Sequence, residues 1–181
     1  MQSHPFLSKV ALSCLFTKGV AAKQDPRQKV LPSYGVPDLE TRRLLAKLIL
    51  EEAEETIEAL GFFVYEEGDC SLGVAELTGR KSDESDLEKV IDGCCDTIYV
   101  ATGCLVACGV PDLPHLAEVC RANNQKFPGG VAIINPDTGK YLKPPLWSPP
   151  DHTSIEVEMR GTCFDMVAVQ EFVVRDKEVN W

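Results

Sequence analysis

Asp96 is the single charged residue between Gly93 and Cys108. A stretch this long and this apolar is typical of a buried helix. An isolated carboxylate in such a helix needs a partner, because a buried charge without one is costly. Asp92 lies one turn earlier on the same face, where two like charges repel unless something positive lies between them. The segment therefore predicts a core helix whose two acids meet a cation.

A second group of acids stands in another apolar helical pattern, LILEEAEETIEAL. At about 100° per residue, Glu52 lies inside the apolar stripe, between Leu45 and Leu48. A carboxylate there cannot simply face solvent, so it is expected to protonate or to find a cation. If the two helices pack antiparallel, five carboxylates converge, namely Glu51, Glu52, Glu55, Asp92 and Asp96. Hard oxygen ligands of this kind suit Mg²⁺ or Mn²⁺ rather than zinc.

The order of these acids resembles a known family. The EExxE pattern at Glu51, Glu52 and Glu55, followed by an acidic motif that ends in Asp96 before an apolar helix, is similar to the all-α nucleoside triphosphate pyrophosphohydrolases. This superfamily contains the MazG proteins, the dimeric dUTPases and the phosphoribosyl-ATP pyrophosphohydrolases. The segments RLLAKLILEE, RANNQK and KPPLWSPPD resemble the phosphoribosyl-ATP branch most closely. The resemblance covers roughly residues 30 to 151.

One position departs from the family's pattern. The usual second motif, ExxD, would place a glutamate at position 93, where this chain has Gly93. Asp92 offers a shorter side chain one residue earlier, which could change the number or the position of bound metals. The family's metal ligands therefore carry over directly to the four other acids, and to Asp92 only by a shift.

The resemblance implies an all-α fold, with a four-helix core of the MazG-like type and an irregular C-terminal segment rich in proline and glycine. It implies Mg²⁺-dependent hydrolysis of a (deoxy)nucleoside triphosphate to monophosphate and pyrophosphate, with Glu51, Glu52 and Glu55 as catalytic residues. The expected setting is nucleotide-pool housekeeping or metabolism. Two alternatives stay open: hydrolysis of phosphoribosyl-ATP, and a protein that binds nucleotide or metal without turnover. A third is a helical interaction module whose acids pair with basic side chains such as Lys47.

Three polar residues are expected to contact substrate phosphates. The resembled family has an asparagine and a lysine after the helix that follows the second motif, and Asn123 and Lys126 match them here. The alternative is a capping asparagine beside a solvated lysine. Lys47 lies one turn before Glu51 and either pairs with it or approaches the phosphates, with pairing favoured. Trp147 either closes over the site or belongs to the core.

Composition limits the partners. The chain has 181 residues, 44% of them hydrophobic, and a formal charge of −10. An acidic chain is a poor partner for a nucleic-acid polymer, whereas a small anionic nucleotide is compatible because bound metal reverses the local sign. We expect one domain over residues 1–151, a C-terminal extension over 152–181 of unknown role, and a homodimer or homotetramer.

The eight cysteines do not form a disulfide framework, because several are neighbours on one predicted helix. Reduced thiols and a cytoplasmic location are expected, with organelle targeting by the N-terminus a less favoured alternative. No membrane partner is expected, because no run approaches the roughly 20 apolar residues that a span requires.

Four helices are predicted. They cover about Pro5 to Ala22, Asp38 to Gly61, Ser85 to Gly109, and Leu113 to Asn123. Residues 62 to 84 are read as a short hairpin or an irregular arm. A loop laid over the bundle is predicted from the proline and glycine residues between 129 and 150. The alternation in SIEVEMRG is the pattern of a strand.

Overall fold

A computed structural model describes residues 7–24, 34–64, 77–79 and 86–159. Its elements follow in the order α1 (Lys9–Gln24), α2 (Leu39–Ala59), β1 (Phe62–Val64), β2 (Leu77–Gly79), α3 (Leu87–Ala107), α4 (Asp112–Asn124) and α5 (His152–Met159). The prediction of an all-α fold with a four-helix core is confirmed. The chain divides into two compact units, residues 17–110 and residues 1–16 with 111–181.

Local sequence determines both ends of α2. The Asp38 carboxylate accepts a 2.8 Å hydrogen bond from the backbone amide of Thr41, which is the N-cap interaction expected from the sequence. This backbone bond, with a further one from the Thr41 side chain, lowers the pKa of Asp38. At the other end, Gly61 adopts a φ of 86° and its amide binds the Glu58 carbonyl at 2.9 Å. The helix therefore ends at the predicted glycine.

The ends of α3 follow the same rules. Asp86 is its N-cap and accepts hydrogen bonds from the amides of Glu88 and Lys89. After the helix, the amide of Gly109 binds the Val106 carbonyl and the amide of Val110 binds the Leu105 carbonyl, both at 3.0 Å. These two bonds, with Gly109 at a φ of 68°, form a Schellman motif. The predicted end of α3 at Gly109 is confirmed. At the other end, the N-cap is Asp86, one residue after the predicted start at Ser85.

Within residues 17–110, α2 and α3 lie side by side and run antiparallel. The amide of Gly35, just before α2, donates to the carbonyl of Cys108, just after α3, at 2.9 Å. Toward the other end of the pair, Thr56 in the last turn of α2 approaches Gly93 in the second turn of α3. The antiparallel arrangement brings the two acidic clusters onto neighbouring helices.

A short antiparallel ladder follows α2, in which Phe62 pairs with Gly79 and Val64 with Leu77. The hairpin alternative for this region therefore agrees with the two strands. The segment between the two strands, residues 65–76, lies outside the described residues.

In the other unit, the start of α1 is tied to α4. The backbone amide of Ser8 donates to Asp112, and the Ser8 hydroxyl accepts from the amide of Ala11 in the first turn of α1. Leu7, Leu12 and Leu15 are buried there. The proline- and glycine-rich loop packs on α4, because the indole of Trp147 donates to the Ala122 carbonyl at 2.8 Å.

The strand pattern after Asp151 gave a wrong prediction, since His152–Met159 is the helix α5. Asp151 accepts hydrogen bonds from both the amide and the hydroxyl of Ser154, at 3.1 and 2.6 Å. This local capping satisfies the first turn and favours a helix over the strand that the alternation suggested. The rest of the predicted extension, residues 160–181, is not among those described.

By length and composition alone, α3 is the one described helix that could cross a membrane. The sequence argument missed it because Asp92 and Asp96 interrupt its apolar run. A buried core helix passes the same test, but only 22% of this stretch of α3 is buried, and Asp92 and Asp96 are exposed. The prediction of a core helix around Asp96 is therefore wrong for the single chain, because α3 packs along α2 on one side and leaves much of its remaining surface uncovered. The expectation of no membrane partner stays a prediction.

Candidate functional site

The crossing of α2 and α3 is set by a glycine. Gly93 is buried, and a Cβ atom added to it would lie 2.7 Å from Thr56 Oγ1 and 3.1 Å from Thr56 Cα. The second distance involves backbone, which cannot rotate away as a side chain can. Gly93 therefore allows a helix contact that any other residue would push apart.

Two threonine hydroxyls join the helices beside this contact. The Thr56 hydroxyl donates to the Glu52 carbonyl at 2.7 Å, within α2. Thr97 of α3 lies 3.3 Å from Thr56 Oγ1 and 3.4 Å from the Glu52 carbonyl oxygen. The link thus runs from the residue next to Asp96 to the backbone of Glu52, one acid from each predicted cluster.

A groove of about 370 Å³ opens beside the crossing. Its lining comprises five carboxylates, one amine and two small residues: Glu55, Glu58, Asp86, Asp92, Asp96, Lys89, Ala59 and Gly93. Three of the five predicted metal ligands therefore share this groove. Glu58, which is not among the predicted ligands, also belongs to it.

Glu52 is half-buried and its pKa is raised. Burial is the largest cause, followed by the charges of Asp96 and Glu55, then by those of Glu51 and Asp92. All four other predicted ligands thus act on this carboxyl group. Glu52 itself is not part of the groove lining.

Glu51 and Lys47 form an ion pair of 3.3 Å across one helical turn. The structure therefore agrees with the alternative in which Lys47 pairs with Glu51. Both side chains are largely solvated, at 46% and 71% exposed, so the pair adds little stability and either partner can be drawn elsewhere. A phosphate contact by Lys47 stays a prediction.

The acids fit a divalent cation by their chemistry. Mg²⁺ binds oxygen ligands, typically one or two carboxylates together with water and substrate phosphates, and repulsion among the acids around Glu52 is relieved by positive charge. In the part of the chain that the structure describes, however, no three His, Cys, Asp or Glu residues are already gathered closely enough to hold a metal ion. The donors share a face and a charge environment, and their side chains would have to close around the ion.

Asn123 and Lys126 lie in the unit formed by residues 1–16 and 111–181. The Lys126 amine donates to the Asn123 side-chain oxygen at 2.8 Å. The two residues singled out by resemblance are therefore neighbours in space and form one polar group. Lys143 stacks its amine 4.1 Å from the centre of the Trp147 ring, whose indole is engaged with α4.

Sequence reasoning missed two features of this site. Lys89 is the one cation among the groove's lining residues, and its spacing of three from Asp92 was a usable signal. The pairing of Thr97 with Thr56 had no sequence signal, because it depends on the register between two helices that are far apart in the chain.

An antiparallel helix pair with carboxylates gathered along one groove defines an all-α protein with an acidic, oxygen-rich site. The family model for phosphoribosyl-ATP pyrophosphohydrolase matches residues 23–123, more than half of the sequence, and the chain belongs to this family within the MazG-like nucleoside triphosphate pyrophosphohydrolase superfamily. The match contains all five acids and Asn123, and ends before Lys126. No match was found among curated proteins. The family is one of pyrophosphohydrolases that act on nucleotide-like substrates.

Proposed function

We propose that this protein is a Mg²⁺-dependent pyrophosphohydrolase that cleaves a (deoxy)nucleoside triphosphate to nucleoside monophosphate and pyrophosphate, in nucleotide-pool housekeeping or metabolism. The observation that carries the proposal is the arrangement of two acidic clusters around one helix crossing, in a chain of this family. Phosphoribosyl-ATP is an equally supported substrate, because the matched family model is the one described by that reaction.

The five acids would hold the cation. Glu51, Glu52 and Glu55 would supply oxygens from α2, and Asp92 and Asp96 from α3. Bound Mg²⁺ or Mn²⁺ would neutralise phosphate charge and make a bound water more acidic. The chain's net charge of −10 makes such neutralisation a requirement for binding a polyphosphate in this groove.

The remaining chemistry belongs to the side chains. Water attacks phosphorus, the phosphoanhydride bond breaks, and the water proton passes to a carboxylate that acts as general base. The base would be one of the three glutamates of α2 that the metal does not fully use, and Glu52, whose pKa is raised by burial and by the neighbouring acids, is the first of them to test. Lys89, at the groove, would orient phosphate groups. A phosphate contact by the Asn123 and Lys126 pair stays a prediction.

The test is pyrophosphate release by the full-length chain with Mg²⁺, across common NTPs, dNTPs and phosphoribosyl-ATP. Glu52→Gln is expected to abolish release without unfolding the protein. Glu54→Gln is the matched control, because Glu54 is exposed on the same helix and is not among the acids whose charges raise the pKa of Glu52. Release of orthophosphate alone, or full activity in Glu52→Gln, contradicts the proposal.

The same panel separates the alternatives. Turnover of phosphoribosyl-ATP alone assigns that substrate. Mg²⁺-dependent nucleotide binding by calorimetry, with no turnover over hours, assigns a binding protein. Independence from added Mg²⁺ or Mn²⁺ after treatment with a chelator removes the metal from the proposal.

We also propose that the protein is a homodimer or homotetramer that assembles through the side of the helix pair opposite the groove. Large apolar residues share this face, and each is between 53% and 72% exposed: Leu39 and Leu50 on α2, and Leu87, Ile91 and Ile98 on α3. On α3 they recur at the spacings of a helix-packing seam. A second copy of the same face would bury both stripes in a four-helix arrangement.

Sedimentation equilibrium tests the assembly. The wild-type chain is expected to sediment as an oligomer and Ile91→Glu as a monomer. Leu116→Glu, a change at an exposed leucine of α4, is the control and should leave the oligomer intact. A monomeric wild-type protein would contradict this interface.

A further inference from the structure

We infer that Thr97 is a positioning residue that fixes the acids of α2 against those of α3, and that Gly93 is the glycine that permits this contact. The inference rests on the proposed function, since it concerns the same acidic site. It assigns a role to the position at which the chain departs from its family's pattern.

The geometry places one hydroxyl between the two clusters. The Thr56 hydroxyl uses its proton on the Glu52 carbonyl, at 2.7 Å, so its oxygen is free to accept from a neighbour. Thr97 Oγ1 lies 3.3 Å from that oxygen and 3.4 Å from the Glu52 carbonyl. A bond to the carbonyl joins α3 to the Glu52 backbone directly, and a bond to Thr56 joins it through the Thr56 hydroxyl. Thr97 directly follows Asp96.

The contact needs a residue without a side chain on the facing turn. Gly93 lies one turn before Thr97 on α3, and its added Cβ would press on both the side chain and the backbone of Thr56. Separation of the helices at this point would lengthen the Thr97 bonds, which are already near the upper limit for a hydrogen bond. The glycine and the threonine therefore act together, one by permitting approach and the other by fixing register.

The helix contact at Gly93 and Thr97 also affects the positions of the acids next to it. Asp92 and Asp96 precede Gly93 and Thr97 by one residue each, and both line the groove. A shift of α3 along α2 would move these two acids together relative to Glu52 and Glu55. The chain thus lacks the family's glutamate at position 93 and has a tight helix contact there, which sets the positions of the acids on either side.

The test uses Mn²⁺ alone, measured by its electron paramagnetic resonance signal, and then steady-state kinetics. Thr97→Val removes the hydroxyl and keeps the shape, and it is expected to weaken Mn²⁺ binding about tenfold, as loss of a residue that orients metal ligands does. Thr97→Ser keeps the hydroxyl and should bind Mn²⁺ as the wild type does. Thr102→Val is the matched control, because Thr102 is a buried threonine on the other side of the same helix.

Circular dichroism checks that each variant retains its helices, and Thr97→Ala serves if valine does not fold. Rescue by serine separates positioning from packing, since serine lacks the methyl group and keeps the hydrogen bond. Wild-type Mn²⁺ affinity and kcat/KM in both Thr97→Val and Thr97→Ala would overturn the inference, as would failure of the wild type to bind Mn²⁺. If the wild type binds Mn²⁺ but releases no pyrophosphate, the proposed function fails and the Mn²⁺ affinities of the variants still decide the inference.

Discussion

The backbone amide of Ser8 donates a 2.9 Å hydrogen bond to Asp112 Oδ1, joining the start of α1 to the first residue of α4. Asp112 is 1% exposed, and its second carboxylate oxygen is buried with no hydrogen-bond partner among the residues that the structure describes. Ser8 is in turn the residue whose hydroxyl caps α1. The buried carboxylate of Asp112 therefore fixes the residue that caps α1, a helix whose first turns are mostly apolar.

Asp112→Ala is expected to destabilise the protein by about 1–3 kcal/mol, because it removes the acceptor of the half-buried Ser8 amide. Asp112→Asn keeps one oxygen and should cost less. Urea denaturation followed by circular dichroism gives both values. Equal stability of the alanine variant and the wild type would show that the bond to Ser8 contributes nothing.

The two histidines of α4 and α5 predict a pH dependence. His115 Nδ1 lies 3.1 Å from His152 Nδ1, and His115 is buried. The pKa of His115 is lowered, first by burial and then by the charge of His152, while Glu156 opposes the shift. A lowered pKa means that the unfolded chain binds the proton more tightly, so stability is complete above the ordinary value of 6.5 and falls as pH drops below it.

Urea midpoints at pH 7.5 and 5.5 measure this loss. His152→Gln removes the second charge and should make the loss smaller, whereas the midpoint at the higher pH should change less. A wild-type stability that does not fall between these two pH values would contradict the assignment.

Replacing Arg121 with lysine keeps the positive charge, but it is expected to loosen the loop that Arg121 binds. It contacts both carboxylate oxygens of Glu118 at 2.8 Å and also binds Ser148 and the Pro149 carbonyl. Lysine cannot reproduce this planar, two-point contact. Arg121→Lys is therefore expected to increase amide hydrogen exchange over residues 147–151, with Arg42→Lys, an exposed change on α2, as the control.

The ion pair between Glu118 and Arg121 is expected to weaken in acid. The hydrogen bond from Arg121 is the largest cause that lowers the pKa of Glu118 to about 2, and the hydrogen bond from the Asp151 amide is the next. A lowered carboxyl pKa contributes stability above the ordinary value of 4.5 that is lost as pH falls toward 2. The protection factors of the amides over residues 147–151, which compare each rate with that of an unstructured chain at the same pH, should therefore fall across this range, and should fall less steeply in Glu118→Gln. Protection factors that do not change with pH in the wild type would show that the pair does not hold this loop.

Restoring the family's glutamate should impair this protein. Gly93→Glu adds a Cβ atom 3.1 Å from the Thr56 backbone, and such overpacking costs about 1–3 kcal/mol. We expect lower stability by urea denaturation and no gain in pyrophosphate release. Higher activity in Gly93→Glu would mean that the missing carboxylate matters more than the helix contact.

Lys89 offers a test of substrate binding at the groove. Lys89→Gln should raise KM for the polyphosphate severalfold at unchanged Mn²⁺ affinity, because a lysine acts on phosphate as a point charge. Lys140→Gln, at an exposed position of the other unit, is the control. A fall in Mn²⁺ affinity with unchanged KM would place Lys89 among the residues that organise the acids.

Helix ends were predictable from the sequence because capping is local. Asp38 and Gly109 act on amides and carbonyls within a few residues, and the structure has both where they were expected. Residues 152–159 were predicted wrongly for a related reason. Their alternation gave the period of a strand, while the local cap from Asp151 to Ser154 favoured a helix.

The sequence by itself determined that two acidic clusters stand on two apolar helices, since helical periodicity alone places Glu52 and Asp96 among apolar neighbours. It also identified Gly93 as the departure from the family's motif. Only the tertiary structure decided what that glycine does, because its neighbour Thr56 is remote in sequence and the contact depends on register. The same holds for Thr97. Its sequence neighbours do not indicate which group its hydroxyl binds, and the acceptor, the Glu52 carbonyl, is supplied by α2 only in the folded protein.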